Sequence, residues 1–81
     1  MITGSQIRAA RGLLHWSSEE TAAKARLSRQ TLHRLELSTD IPASRTQSLL
    51  ELKRVFEEAG VEFIGEPGNG PGVRLWKKSE Q

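Results

Sequence analysis

At 81 residues the chain has room for one small domain and one core, and its formal charge of +2, from 12 basic and 10 acidic side chains, does not mark it as a polycation. It has no cysteine, which excludes disulfides and thiolate metal sites and fits a reducing compartment. The apolar runs are too short for a membrane span, and Met1-Ile2-Thr3-Gly4-Ser5 lacks the charged and apolar regions of a signal peptide, so a soluble cytoplasmic protein is expected.

Thr3-x-x-Gln6 reads as a capping box, and Ile7, Ala10 and Leu14 recur at helical spacing. The first helix is therefore predicted from Gly4 to Leu14. Ser17-Ser18-Glu19-Glu20 repeats the capping signal, and Ala22 and Ala25 give a short second helix a small apolar face. Arg26-Leu27-Ser28 is a tight connection whose Ser28 caps a third helix. On that helix Arg29, Gln30, His33, Arg34 and Leu37 fall within one arc of about 140°, with Thr31, Leu32, Leu35 and Glu36 opposite. Residues 38–44 read as a loop, with Ser44 capping a fourth helix that carries Leu49, Leu50, Leu52, Val55, Phe56 and Ala59. Gly60 ends it. Two short strands, Val61-Glu62-Phe63-Ile64 and Val73-Arg74-Leu75-Trp76, flank a glycine- and proline-rich loop at residues 65–72, and residues 77–81 form a polar tail. The expected architecture is mostly α: a four-helix domain over residues 1–60 followed by a β-hairpin over 61–76.

Charge is uneven along this plan. Residues 1–45 carry seven basic and four acidic side chains, against five and six in the remainder. The stretch 24–34 holds Lys24, Arg26, Arg29, Arg34 and His33 and no acid, the kind of local patch that attracts a phosphate backbone. Its plain alternative is a solvated face. Two short helices joined by a tight turn, the second capped, basic outside and leucine-lined inside, are what a helix-turn-helix requires.

The residues Ile7-Arg8-Ala9-Ala10-Arg11, Trp16-Ser17, Glu20-Thr21-Ala22, Leu27-Ser28-Arg29-Gln30-Thr31-Leu32 and Leu35-Glu36 together resemble the Cro/CI-type (XRE, phage-repressor-like) helix-turn-helix regulators, over roughly residues 4–59. The resemblance implies a repressor that binds double-stranded DNA as a homodimer, with the third helix in the major groove. Arg29, Gln30 and Arg34 match the base-reading positions, and His33 lies between them. Arginine can bond two guanine acceptors and glutamine the N6/N7 edge of adenine. Ser18, Ser28 and Arg45 match phosphate-contacting positions, Arg26 offers a further phosphate contact, and Arg11 and Glu36 match a structural ion pair. For Ser28, capping alone is the simpler role. The chain departs from the pattern at His15, Arg26 and Ser38, where glycine is common, and at Ser18 and Thr21, where glutamine and leucine are common. Arg26 stands where a positive φ is often needed.

A two-stranded hairpin alone is marginal in water, so Phe63, Val73, Leu75 and Trp76 need cover; the fourth helix or a second subunit can give it, and dimerisation through this region is the favoured expectation. No nucleophile, base and orienting acid occur together, and no ligand cluster has metal spacing, so neither an enzyme nor a cofactor is expected. Gly68-Asn69-Gly70-Pro71-Gly72 lacks the lysine and following helix of a P-loop. The alternative function is a protein partner: an antitoxin or antiactivator of the same fold, using Leu37, Trp76 and the acidic half.

Overall fold

The computed structural model describes residues 2–37, 46–66 and 68–76. These residues form four helices, α1 (Gly4–Leu14), α2 (Ser18–Ala25), α3 (Arg29–Leu37) and α4 (Thr46–Glu58), and an antiparallel pair of strands, β1 (Val61–Glu66) and β2 (Asn69–Leu75). Among the described residues no helix is long and apolar enough to cross a membrane. Arg45, Ser38, Ser44 and the tail at 77–81 lie outside the described residues.

The helix starts follow the capping chemistry. Thr3 and Gln6 form both halves of their box: the Gln6 amide donates to Thr3 Oγ1 at 3.1 Å, and the Thr3 amide donates to Gln6 Oε1 at 2.9 Å. Ser17 Oγ accepts the Glu20 amide at 3.0 Å, and Ser28 Oγ accepts the Thr31 amide at 3.0 Å. Each contact satisfies one of the amides a helix leaves open at its first turn.

The first two helices end alike. His15 and Arg26 both adopt the left-handed conformation, with φ 58° at each. Around His15, the Trp16 amide donates to Arg11 O and the His15 amide to Gly12 O; around Arg26, the Leu27 amide donates to Ala22 O and the Arg26 amide to Ala23 O. This is the Schellman arrangement twice over, and in each case the residue after the left-handed one, Trp16 or Leu27, packs against the core. The turns keep their geometry without glycine.

All four helices and β1 supply the core: Ile2 and Ile7 near α1, Ala22 and Ala25 from α2, Leu32 and Leu35 from α3, Leu49, Leu52 and Phe56 from α4, and Val61. Phe56 sits between two rings, stacked on Trp16 at 5.6 Å and edge-on to Phe63 at 6.1 Å. Thr21 is polar yet fully buried. Its hydroxyl donates to Ser17 O at 2.8 Å, so burial leaves no polar atom unsatisfied.

The hairpin is tighter than the sequence predicts. Residues 65–72 read as a loop, but the strands run on to pair Glu66 with Asn69, leaving two residues between them. Glycine explains the difference. Gly65 and Gly70 have φ of 79° and 68°, and they absorb a register irregularity between Ile64 and Glu66. A Cβ on Gly65 would run into the Gly70 backbone. The same glycines that look like loop breakers permit a bulged ladder.

The hairpin is fastened to α1 by Gln6. Besides capping, this side chain, only 3% exposed, donates from Nε2 to Ile64 O at 3.1 Å and to Gly72 O at 2.7 Å. Its carboxamide therefore meets three backbone groups from two distant parts of the chain.

Two predictions follow from this packing. His15→Gly and Arg26→Gly each remove a left-handed non-glycine residue and are expected to stabilise the fold by about 1 kcal/mol, read as a higher thermal midpoint in calorimetry. Gln6→Ala strips partners from buried backbone groups and is expected to cost about 1–3 kcal/mol in urea denaturation.

Candidate nucleic-acid interface

The sequence places its candidate side chains on α3 and the turn before it. Helical periodicity divides α3 cleanly. Leu32, Leu35 and Glu36 are buried, Thr31 is half-buried, and Arg29, Gln30, His33, Arg34 and Leu37 are exposed. The outward set is the one predicted to share an arc. Leu37, at 64% exposure, is the most exposed large apolar residue described.

Ser18, at the first position of α2, joins this surface. Together with Arg29, Gln30 and His33 it lines a concavity of about 360 Å³. The first turn of α2 thus opens beside the first two turns of α3. Three donor-rich side chains and a hydroxyl converge there, with helix amide dipoles behind them.

The remaining candidates divide. Ser28 is exposed, but its hydroxyl is engaged locally: it accepts the Thr31 amide and donates to Thr31 Oγ1 at 2.9 Å. Capping accounts for both contacts. Arg26 is exposed at the left-handed position, and its charge reaches α4. Glu51 has its carboxyl held below the ordinary value, first by a hydrogen bond from Arg54, with the charges of Arg54 and Arg26 adding and desolvation opposing. Lys24 lies over the Trp16 ring at 5.0 Å, where the aromatic face attracts its ammonium. Arg45 lies outside the described residues.

Arg11 and Glu36 meet as the resemblance implies. Arg11 Nε lies 2.8 Å and Nη2 3.2 Å from the two carboxylate oxygens, a bidentate pair, with side chains 25% and 7% exposed. Sequence reasoning missed two neighbours of this pair. Arg8 donates through Nη1 to the Glu36 carbonyl, at the C-terminal end of α3 where carbonyls lack helical partners. Gly4 lets α1 come so close that a Cβ there would collide with the same carbonyl. The available signal was the basic residue three places before Arg11 on one helix face.

The four hairpin residues expected to need cover also divide. Phe63 and Val73 are half-buried against the core, while Leu75 and Trp76 are exposed. Along the outer face of α4, Arg54 pairs with Glu51 and Glu58, and Lys53 with Glu57. That face is a solvated ladder of ion pairs. Among the described residues no group of three or more histidines and acids is placed to hold a metal.

No family model matches the chain, and no curated protein matches it.

The buried pair is directly testable. Arg11→Met would leave the Glu36 carboxylate buried beside apolar groups, and it is expected to destabilise by about 2–3 kcal/mol in urea titration. Arg11→Met combined with Glu36→Leu is expected to recover most of that loss, because the uncompensated charge goes with its partner.

Proposed function

We propose that this chain is a sequence-specific double-stranded DNA-binding protein of the Cro/CI-type helix-turn-helix kind, acting as a dimer to repress transcription. The observation that carries the reading is the single exposed face of Arg29, Gln30, His33 and Arg34 on α3, set beside Ser18 at the start of α2. On this reading α3 enters the major groove, and α2 crosses the sugar-phosphate backbone. Arg29 and Arg34 read guanine O6/N7, Gln30 reads an adenine edge, and His33 adds a base or phosphate contact. Ser18 and the open amides of α2 grip a phosphate.

The placement of charge supports it. A cation at the N-terminus of a helix opposes the helix dipole, at a cost of about 0.3–1 kcal/mol. Arg29 occupies the first position of α3. Stability alone favours an acid there, whereas a DNA contact calls for arginine.

A second reading has one observation in its favour. Leu37 lies exposed at the end of the same face, and Leu50 is exposed on α4. An antitoxin or antiactivator would use such leucines against a protein partner.

The decisive experiment is fluorescence anisotropy, across a salt series, with the DNA upstream of the coding sequence and with a scrambled duplex. A clear preference for the first duplex is expected, reduced about 10- to 100-fold by Arg29→Ala or Arg34→Ala. Ser18→Ala is expected to weaken both duplexes alike. Equal, weak binding that vanishes by physiological salt, followed by no enriched sequence from a randomised duplex pool, would sink the DNA reading and leave the protein-partner one.

A further inference from the structure

We propose that the outward face of the hairpin is the surface through which two copies of this chain associate, with Trp76 as its anchor. This names the contact behind the dimer in the functional reading above.

Strand alternation fixes which residues face outward. Val61 is buried and Phe63 and Val73 pack inward, so their neighbours Glu62, Ile64, Gly72 and Arg74 lie on the opposite face. Trp76 joins that face. Its Nε1 donates to Glu62 Oε1 at 2.8 Å, the Arg74 guanidinium lies 5.5 Å from its ring, and its backbone amide donates to Gly60 O at 2.8 Å. The indole is nevertheless 57% exposed.

Such a residue is prepared for burial against protein. Its one polar hydrogen already has a partner, so covering the ring strands no donor. Its contacts hold the side chain in place, which lowers the entropy lost on docking. Tryptophan and arginine are also the residues that most often anchor interfaces. At the far end of the face, Gly72 carries no side chain beside Ile64 and leaves a flat apolar floor.

Charge selects the occupant. The face carries one acid and one base, Glu62 and Arg74, as a cross-strand pair 3.5 Å apart. A patch of one sign would repel its own copy, whereas this patch is complementary to itself. A two-fold axis through it sets Glu62 against the partner's Arg74 and Arg74 against the partner's Glu62. Each Trp76 then reaches toward the Ile64 and Gly72 end of the other hairpin. Glu62 and Glu66 on β1 disfavour a nucleic acid here.

The test is light scattering after size exclusion, on the full chain without DNA, at about 100 µM, a concentration suited to a small interface. Wild type is expected to run as two chains, and Trp76→Ala to raise the dissociation constant at least tenfold. Glu62→Lys and Arg74→Glu each place like charges across the axis and are expected to run as single chains. Mixed one to one they are expected to form a dimer again, since each chain then supplies the charge the other lacks. That rescue separates the contact between copies from the pair within each hairpin, which stays broken in both variants. A wild type that stays monomeric at about 1 mM, a Trp76→Ala protein that associates as well as wild type, or a mixture no better than its parts would each overturn the proposal. If either charge variant lacks a cooperative melt, Trp76→Ala decides alone. A monomeric wild type that still prefers one duplex through Arg29 removes this contact and leaves the DNA reading. A dimer without duplex preference does the reverse.

Discussion

The arrangement depends on what one short helix can hold at once on its two opposite faces. Within its first eight residues α1 presents Gly4, Gln6, Arg8 and Arg11, and each meets something other than its own helix. Gln6 reaches carbonyls of both hairpin strands, and Gly4, Arg8 and Arg11 meet the end of α3. Most of these contacts are polar and part-buried. A buried amide or carboxylate is tolerated only where its partners are in place, since an unmet group costs about as much as several good bonds return. No buried side-chain nitrogen or oxygen is left without a partner among the described residues. Apolar packing supplies the bulk of the cohesion, and these polar contacts specify the angle at which the parts meet.

Electrostatics along α3 follow from the same constraint. Its C-terminal end carries the negative pole of the helix and a buried glutamate, and Arg8 and Arg11 converge there. Those two arginines are therefore structural and add little to the outward patch, although a count of basic residues in the first half of the chain includes them. The outward face of α3 itself carries Arg29 at its start, His33 at its middle and Arg34 in its last turn. A small net charge is thus compatible with a concentrated basic face, because arginines elsewhere are spent on fixing helices.

How far the fold was legible in the sequence depended on how local each determinant was. Helix starts were readable because a cap and its amide lie three residues apart, as at Thr3, Ser17 and Ser28. The outward and inward faces of α3 were readable because helical periodicity orders nine consecutive residues. The second role of Gln6 was not, since its carbonyl partners lie 58 and 66 positions away. Nothing in a capping box announces that its glutamine has hydrogens to spare. The hairpin was underestimated for a different reason. Glycine at 65, 70 and 72 reads as a break under propensity rules, yet positive φ at two of them is what lets the strands continue. Two sources of cover for the hairpin were open in the sequence, because alternation orders a strand's faces but does not say what meets them: Phe63 and Val73 pack on the core of their own chain, and Leu75 and Trp76 stay exposed.

The candidate face and the hairpin are not independent parts. From β1 and β2 the contact passes through Gln6 to α1, and from α1 through Gly4, Arg8 and Arg11 to the end of α3, each step a direct contact. In a dimer joined through the hairpins, the separation of the two α3 helices would be set by these contacts rather than by a linker. A duplex offers successive major grooves at about 34 Å, and a rigid dimer matches that spacing or fails to. Small changes at Gln6 or Gly4, far from any base, would then alter affinity for a two-site duplex more than for a single half-site. Flexible tethering would lose that distinction, since a linker adapts to spacing at only a slowly growing entropic cost. The buried polar contacts of α1 would thus act on recognition through geometry, which gives a physical reason for a glutamine at a position where leucine would bury more comfortably.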